Sequence, residues 1–288
     1  MFNRNIIIVF LIFLCFTSMG CITQKKDIKL ISKQYDLDHP LKLILNDALL
    51  EISGICFYPK DSSVFAISDE NGSLYKIHMN RNYLIKKWKF DKNHDFEDIM
   101  LKDSTFYVLE SNGNIISLNF SAKGDTIYSR KDIFPANKKN KNEFESLFYD
   151  VQRQKFLLIC KDCKGDKKNY VSAFSYNAAN GAYGNSGFKI NVDAIAAKTG
   201  KKEIKFKPSA AAIHPKTGDV WILSAVNQLL VVTDINGTVK EVFTLNPAIF
   251  TQPEGIAFTP WGDLLISNEA GNKYNAATLF IYKPKIII

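Results

Sequence analysis

Two acidic pairs stand where a β-hairpin has no use for them. Asp69 and Glu70 precede the turn Asn71-Gly72 in "AISDENGSLYKI" (66–77), and Glu97 and Asp98 lie in "FEDIM" (96–100). Asn-Gly tolerates the positive φ angles of a tight turn, which explains the turn and leaves the acids unexplained. Adjacent carboxylates repel unless something compensates. A hard cation such as Ca²⁺, which takes several oxygen ligands, is one compensation. A cationic or polyhydroxyl ligand is a second, and protonation of some of the acids is a third.

The elements that would position these acids repeat. A polar residue, a small and apolar strand, a turn and a second apolar strand recur in "EISGICFYPKDSSVFAISDE" (51–70), "EDIMLKDSTFYVLES" (97–111), "ESLFYDVQRQKFLLICKD" (145–162), "SAAAIHPKTGDVWILSA" (209–225) and "EGIAFTPWGDLLISNE" (254–269). Their starts are 46, 48, 64 and 45 residues apart, and one four-stranded propeller blade takes ~40–50 residues. Further strand-like segments follow in each interval, among them "SLYKIHM", "NIISLNF" and "QLLVVTDI". Only 194–200 reads as briefly helical, so the chain is all-β. The expected fold is a single five-bladed β-propeller over 29–288, with six blades as the alternative if 145–208 hides a degenerate blade. The last unit lacks an outer strand, and "KLISKQYDL" (29–37) is expected to supply it and close the ring.

In a blade the first strand leaves one face and the second returns to it. The expected mouth therefore gathers Glu51, Asp69 and Glu70 from unit one, and Glu97, Asp98 and Glu110 from unit two. Unit three adds Glu145 with Asp162 near Lys161, unit four Ser209 with Ser224, and unit five Glu254 with Glu269. As ligands of a metal, Asp69, Glu97, Glu145 and Glu254 are the candidates. The alternative is structural: residues opening an inner strand can bond the neighbouring blade and hold no ligand, and Glu51, Glu145 and Glu254 repeat most regularly. His214, in "HPKTGD", falls in a turn on the opposite face.

The first twenty residues differ from the rest. Arg4 precedes the apolar run Ile6–Phe16, too short for the ~20 residues of a membrane span and suited to a signal peptide. "SMGC" (18–21) resembles the lipobox of bacterial lipoproteins, with Ser18 where Leu is usual. That resemblance implies acylation of Cys21, a tether over 21–28 and a lipid-anchored protein of the cell envelope; an ordinary cleaved signal is the alternative. Of 37 basic residues only Arg4 lies in 1–20, so the remainder stays basic against 29 acids. The lysines cluster in loops with little Arg or aromatic interleaving, which argues against nucleic acid as a partner. Cys160 and Cys163 suit a local disulfide or two structural thiols, since no second pair completes a zinc site.

The five repeat phrases, with "FESLFYD" and "KPSAAAIHPKTGDVWILSA", together resemble the SdiA-regulated family of bacterial envelope proteins from about residue 45 onward. The resemblance implies a propeller related to NHL-repeat and phytase-like propellers, and states no activity. The phytase-like relation implies calcium at the mouth acids and a phosphate ester bound against it. Phosphoryl chemistry also wants cations aimed at the phosphate, and the mouth offers only Lys161 and Lys207. No Gly-x-Ser-x-Gly, His-Glu-x-x-His or phosphate-binding glycine loop is present. Three readings follow: a module binding a ligand (small molecule or glycan) or an envelope protein through an acidic, Ca²⁺-loaded mouth; a metal-dependent phosphoric ester hydrolase; and a structural scaffold.

Overall fold

Runs such as "VWILS" (220–224) and "LLISN" (264–268) are apolar at nearly every position, the pattern of a strand covered on both faces. The computed structural model shows what covers them. It describes residues 32–79, 81–135, 141–166, 168–271 and 275–285, without the side chains of 81–85. The expected signal peptide (1–20), Cys21 and the tether (21–28) lie outside the described residues.

Among those residues, twenty strands form five antiparallel four-stranded sheets. Blade one contains β2 (Ile52–Tyr58), β3 (Ser63–Ser68), β4 (Ser73–His78) and β5 (Arg81–Lys89). Blade two contains β6 (Phe96–Lys102), β7 (Thr105–Glu110), β8 (Ile115–Phe120) and β9 (Ile127–Asp132). Blade three contains β10 (Asn142–Asp150), β11 (Lys155–Cys163), β12 (Tyr170–Asn177) and β13 (Ala182–Asn191). Blade four contains β14 (Ala210–Ile213), β15 (Val220–Ser224), β16 (Leu229–Thr233) and β17 (Val239–Thr244). Blade five joins β18 (Pro253–Phe258), β19 (Leu264–Asn268) and β20 (Thr278–Tyr282) to β1 (Leu41–Ile44).

The apolar cores lie between blades. Phe65 and Ile67 of blade one meet Phe106 and Val108 of blade two, and Leu109 and Ile115 meet Leu147 and Leu158 of blade three. The other three boundaries are built alike, with Trp221 and Leu230 facing Ile266 and Phe280 between blades four and five. At the hub the inner strands approach closely. A Cβ on Gly54 would lie 2.6 Å from the Asp98 Cα, and one on Gly255 2.6 Å from the Ser53 carbonyl oxygen. Only glycine permits this contact.

Two expectations need correction. The ring is closed by an N-terminal strand, but that strand is β1 at 41–44, paired with β20 in the register Leu41↔Ile281 to Ile44↔Thr278. The described part of 29–37 forms no strand because it is drawn inward beneath blades four and five. Tyr35 is fully buried there; its O–H donates to the Gly262 carbonyl (2.6 Å) and its oxygen lies 3.0 Å from His214 Nε2. His214 Nδ1 accepts the backbone N–H groups of Lys216 and Thr217 (3.3 and 3.2 Å), which leaves the proton on Nε2, facing Tyr35. Burial lowers the His214 pKa, consistent with this neutral form. The long third interval hides no sixth blade: it holds the extended hairpin β12–β13 and the helix α1 (Val192–Thr199), capped by the Asn191 side chain.

Candidate functional site

Every inner strand starts at one end of the ring, and a backbone ladder ties these starts together. The N–H groups of Asp69, Ser111 and Glu269 donate to the carbonyls of Glu51, Asp95 and Gln252, each at 3.0 Å, closing blades one, two and five. Phe96 N–H then donates to Asp69 O (3.0 Å) and Phe144 N–H to Ser111 O (2.9 Å), joining blade one to two and two to three. Ala270 N–H donates to Leu50 O at 3.0 Å, joining blade five to one.

This ladder shifts one alignment read from the sequence. Glu51 is equivalent to Asp95 and Gln252, two residues ahead of where its spacing from Glu97 put it. The position held by Glu97, Glu145 and Glu254 is held in the other blades by Ser53 and Ser209. Ser53, Ser209 and Glu254 each stand six residues ahead of a turn proline (Pro59, Pro215, Pro260), a marker present in the sequence. Ser209 Oγ donates to Pro253 O (2.9 Å) and Ser267 Oγ to Ser53 O (3.2 Å), so the serines join blade four to five and five to one.

The three glutamates share one ammonium. Lys161, at the end of β11, is ion-paired with Glu145, and its charge also acts on Glu97 and Glu254. The Cys160–Cys163 disulfide brackets this lysine. Asp162, inside the same bracket, pairs with Lys207 (3.3 Å) and Lys205 (3.7 Å). Beside it opens a cleft of about 670 Å³ walled by Asp166, Tyr170, Glu203 and Phe206.

One lysine leaves the mouth acidic. Burial, then the charge of Asp95, raises the Glu97 carboxyl to about 9 against the pull of Lys161. Asp69 rises to about 7 through burial, its hydrogen bond to Asp95, and the charges of Asp95, Glu70 and Glu51. Burial and Glu254 raise Glu269 to about 8. Glu254 itself rises to about 7 by burial, with Lys161 and Gln252 opposing. These couplings place Asp69, Asp95, Glu97, Glu254 and Glu269 around one space, with Glu51 and Glu70 exposed at its rim. Asp95 and Gln252 are absent from the set expected from sequence. Their signal is positional: each lies two residues before the mouth glutamate of its own blade.

Other expected residues are placed elsewhere. Asp98 is buried, and its two oxygens accept Ile99 N–H (2.8 Å) and Leu147 N–H (2.7 Å). Glu110 is buried against Asn114 Nδ2 and Lys131 Nζ, both at 2.6 Å. Among the described residues, two trios bring potential ligand atoms within 4.8 Å: Cys160–Cys163–Asp166 and Asp91–His94–Glu110. In the first the sulfurs are joined as a disulfide, and in the second the Lys131 ammonium already sits 2.6 Å from both Asp91 and Glu110. The mouth carboxylates are more widely spread than either trio. Among the described residues no helix is long and apolar enough to cross a membrane.

Comparison with known proteins places this architecture. The glutaminyl cyclase of Myxococcus xanthus superposes with a TM-score of 0.56 at 12% identity, over 87% of this chain and 97% of the other. The PQQ-bound aldose sugar dehydrogenase of Streptomyces coelicolor gives 0.53 at 9% identity, over 86% and 98%. A luciferin-regenerating enzyme gives 0.52 at 12% identity, over 85% and 95%. Identities this low speak for the fold alone. No curated protein matches the sequence. The sequence model of the SdiA-regulated family matches residues 28–275, which take in nearly the whole propeller, and the chain belongs to that family.

Proposed function

We propose that the protein is a lipid-anchored module of the cell envelope that binds a cation, or a cationic group on a ligand or partner, at its acidic mouth. The observation that carries this reading is the gathering of Asp69, Glu97, Glu254 and Glu269 at one end of the ring, on blades one, two and five whose strand starts the backbone ladder ties together; burial first, and then neighbouring carboxylates, raises each of the four carboxyls. Burying acids against one another destabilises the fold unless protons or a cation neutralise them. The donors are hard oxygens, which suits Ca²⁺; Asp69, Asp95, Glu97 and Glu254 would hold it, while Glu145 keeps its ion pair with Lys161. Their spread suits a hydrated ion or an organic ammonium better than a tight, fully dehydrated cage. A hydrolytic reading draws no such support, because Lys161 is committed to Glu145 and Lys207 to Asp162. The anchor rests on the lipobox-like "SMGC" and the apolar run before it.

The test is thermal unfolding of residues 22–288, which retain every described strand, with Ca²⁺, with a polyamine and with a chelator. A ligand at a hundredfold excess over its dissociation constant stabilises the folded state by about 2.7 kcal/mol. A shift with either cation that disappears in Glu97→Gln/Glu254→Gln supports the reading. No shift with either leaves the scaffold reading standing. Cys21→Ala in the full chain should move the protein from the membrane to the soluble fraction.

A further inference from the structure

We infer that the anchored protein stands with its acidic mouth pointing away from the bilayer and its opposite, turn-bearing face against the lipid. This rests on the lipid-anchor reading above. The route of the chain carries it. Residues 32–40 run along the face opposite the mouth, where His214 and Gly262 occupy the turns β14–β15 and β18–β19. They are fastened there: Ser32 and Tyr35 are buried, Lys285 N–H donates to Gln34 O (2.8 Å), and the Lys285 ammonium donates to Ser32 O (3.3 Å). Only then does β1 climb the wall of blade five, from Leu41 beside Ile281 to Ile44 beside Thr278, toward the mouth.

An anchor at Cys21 therefore reaches the body through Ser32, on the far face. Ten residues lie between the two, eleven steps along the chain, at most about 36–40 Å when extended. The strands of blades four and five, which the tether would have to pass, are four to six residues long, about 13–20 Å of wall. Turning the mouth to the membrane would spend about a third to a half of the tether on the wall alone.

The tether itself carries Lys25, Lys26 and Lys29 against the single acid Asp27, and lysines beside an acyl anchor add attraction to anionic headgroups. The occupant of the mouth must then come from the aqueous space or from a surface facing the membrane, not from the headgroups of the anchoring bilayer.

Two exposed valines on adjacent blades make the test. Val151 lies in the β10–β11 turn on the lower face, and Val226 in the β15–β16 turn on the mouth face, 73% and 71% exposed. Val151→Cys and Val226→Cys can each be labelled with a maleimide fluorophore, because Cys160 and Cys163 are paired, Cys56 is buried and Cys21 is acylated in this reading. The full lipidated chains are placed in phosphatidylcholine–phosphatidylglycerol vesicles carrying a headgroup quencher. The expected result is that the Val151→Cys probe loses most of its emission and the Val226→Cys probe keeps its own. Equal quenching, or stronger quenching at Val226→Cys, overturns the orientation while leaving the anchor intact. A chain that does not float with the vesicles, or floats equally well as Cys21→Ala, overturns the anchor and the orientation with it.

Discussion

Asp98 accepts the backbone N–H of Leu147 across the boundary between blades two and three, at 2.7 Å, while its other oxygen accepts its neighbour Ile99 N–H at 2.8 Å. One carboxylate thus satisfies amides on two inner strands that no sheet ladder pairs with each other. Burial pushes its carboxyl well above the usual range, and the amides oppose that rise. Asp98 is a clip in the hub, and its position next to Glu97 gives it no part in the acidic space.

Removing the clip should leave two buried N–H groups without acceptors, at about 1–3 kcal/mol each. Asp98→Ala is expected to lower the melting temperature by several degrees, and Asp98→Asn, which keeps one acceptor, by about half as much. Calorimetry on both variants checks the ratio, and cation affinity should be unchanged in each.

Gly54 lies against the same clip, its would-be Cβ 2.6 Å from the Asp98 Cα and 2.6 Å from Ile99 N. Backbone on both sides cannot yield as a flexible side chain would. Gly54→Ala should therefore destabilise by at least the ~1–3 kcal/mol typical of overpacking, and denaturant titration measures it. A neutral result would show that the hub can widen.

The mouth acids predict an unusual pH dependence. Their folded pKa values lie above the ordinary carboxylate range, at about 7 for Asp69 and Glu254, 8 for Glu269 and 9 for Glu97. Such groups stabilise the fold fully below their unfolded values, and that contribution is lost as pH rises through the folded ones. In chelator, the melting temperature should fall between about pH 5 and pH 9. Cations should flatten the decline, because binding displaces the protons, and Glu97→Gln should remove its most alkaline part. His214 works in the opposite sense: its lowered pKa takes stability away only as pH falls below the ordinary imidazole range.

Lys161 is a resident cation in the space assigned to an incoming one. Removing it should raise affinity: Lys161→Gln is expected to bind Ca²⁺ or a polyamine at least tenfold more tightly, about 1.4 kcal/mol. That is well below the several kcal/mol a like charge exerts at ~4 Å in a half-buried setting. Titration calorimetry reads the change, and weaker binding would mean that the lysine holds the ligand.

The sequence displays the propeller because every blade repeats one phrase, and both the blade count and the facing of His214 follow from it. The closing strand was harder to see. "KLISKQYDL" looks like a strand, but Tyr35 has a better partner in the pocket made by His214 and Gly262, and four-residue "LKLI" behind Pro40 carries little signal of its own. The mouth was legible as a group and blurred in register. Glu51 looks equivalent to Glu254 because both are glutamates opening a unit, yet hydrogen bonds align it with Gln252. Asp95 has no acidic counterpart in blade five to advertise it, and Lys161 gains its importance from a disulfide that folds it over glutamates on other blades.

The pairing of Leu41–Ile44 with Thr278–Ile281 has a further consequence for how the protein is made. The first described strand has no partner until the last described one, Thr278–Tyr282, has been synthesised, so the ring cannot close on the ribosome before that segment has emerged. Contacts this distant in sequence form slowly, and an open ring exposes sheet edges and a bare flank of blade one. A nascent chain stalled before Thr278 should be captured by chaperones or lost to aggregation, whereas release of the last strand should let the ring close.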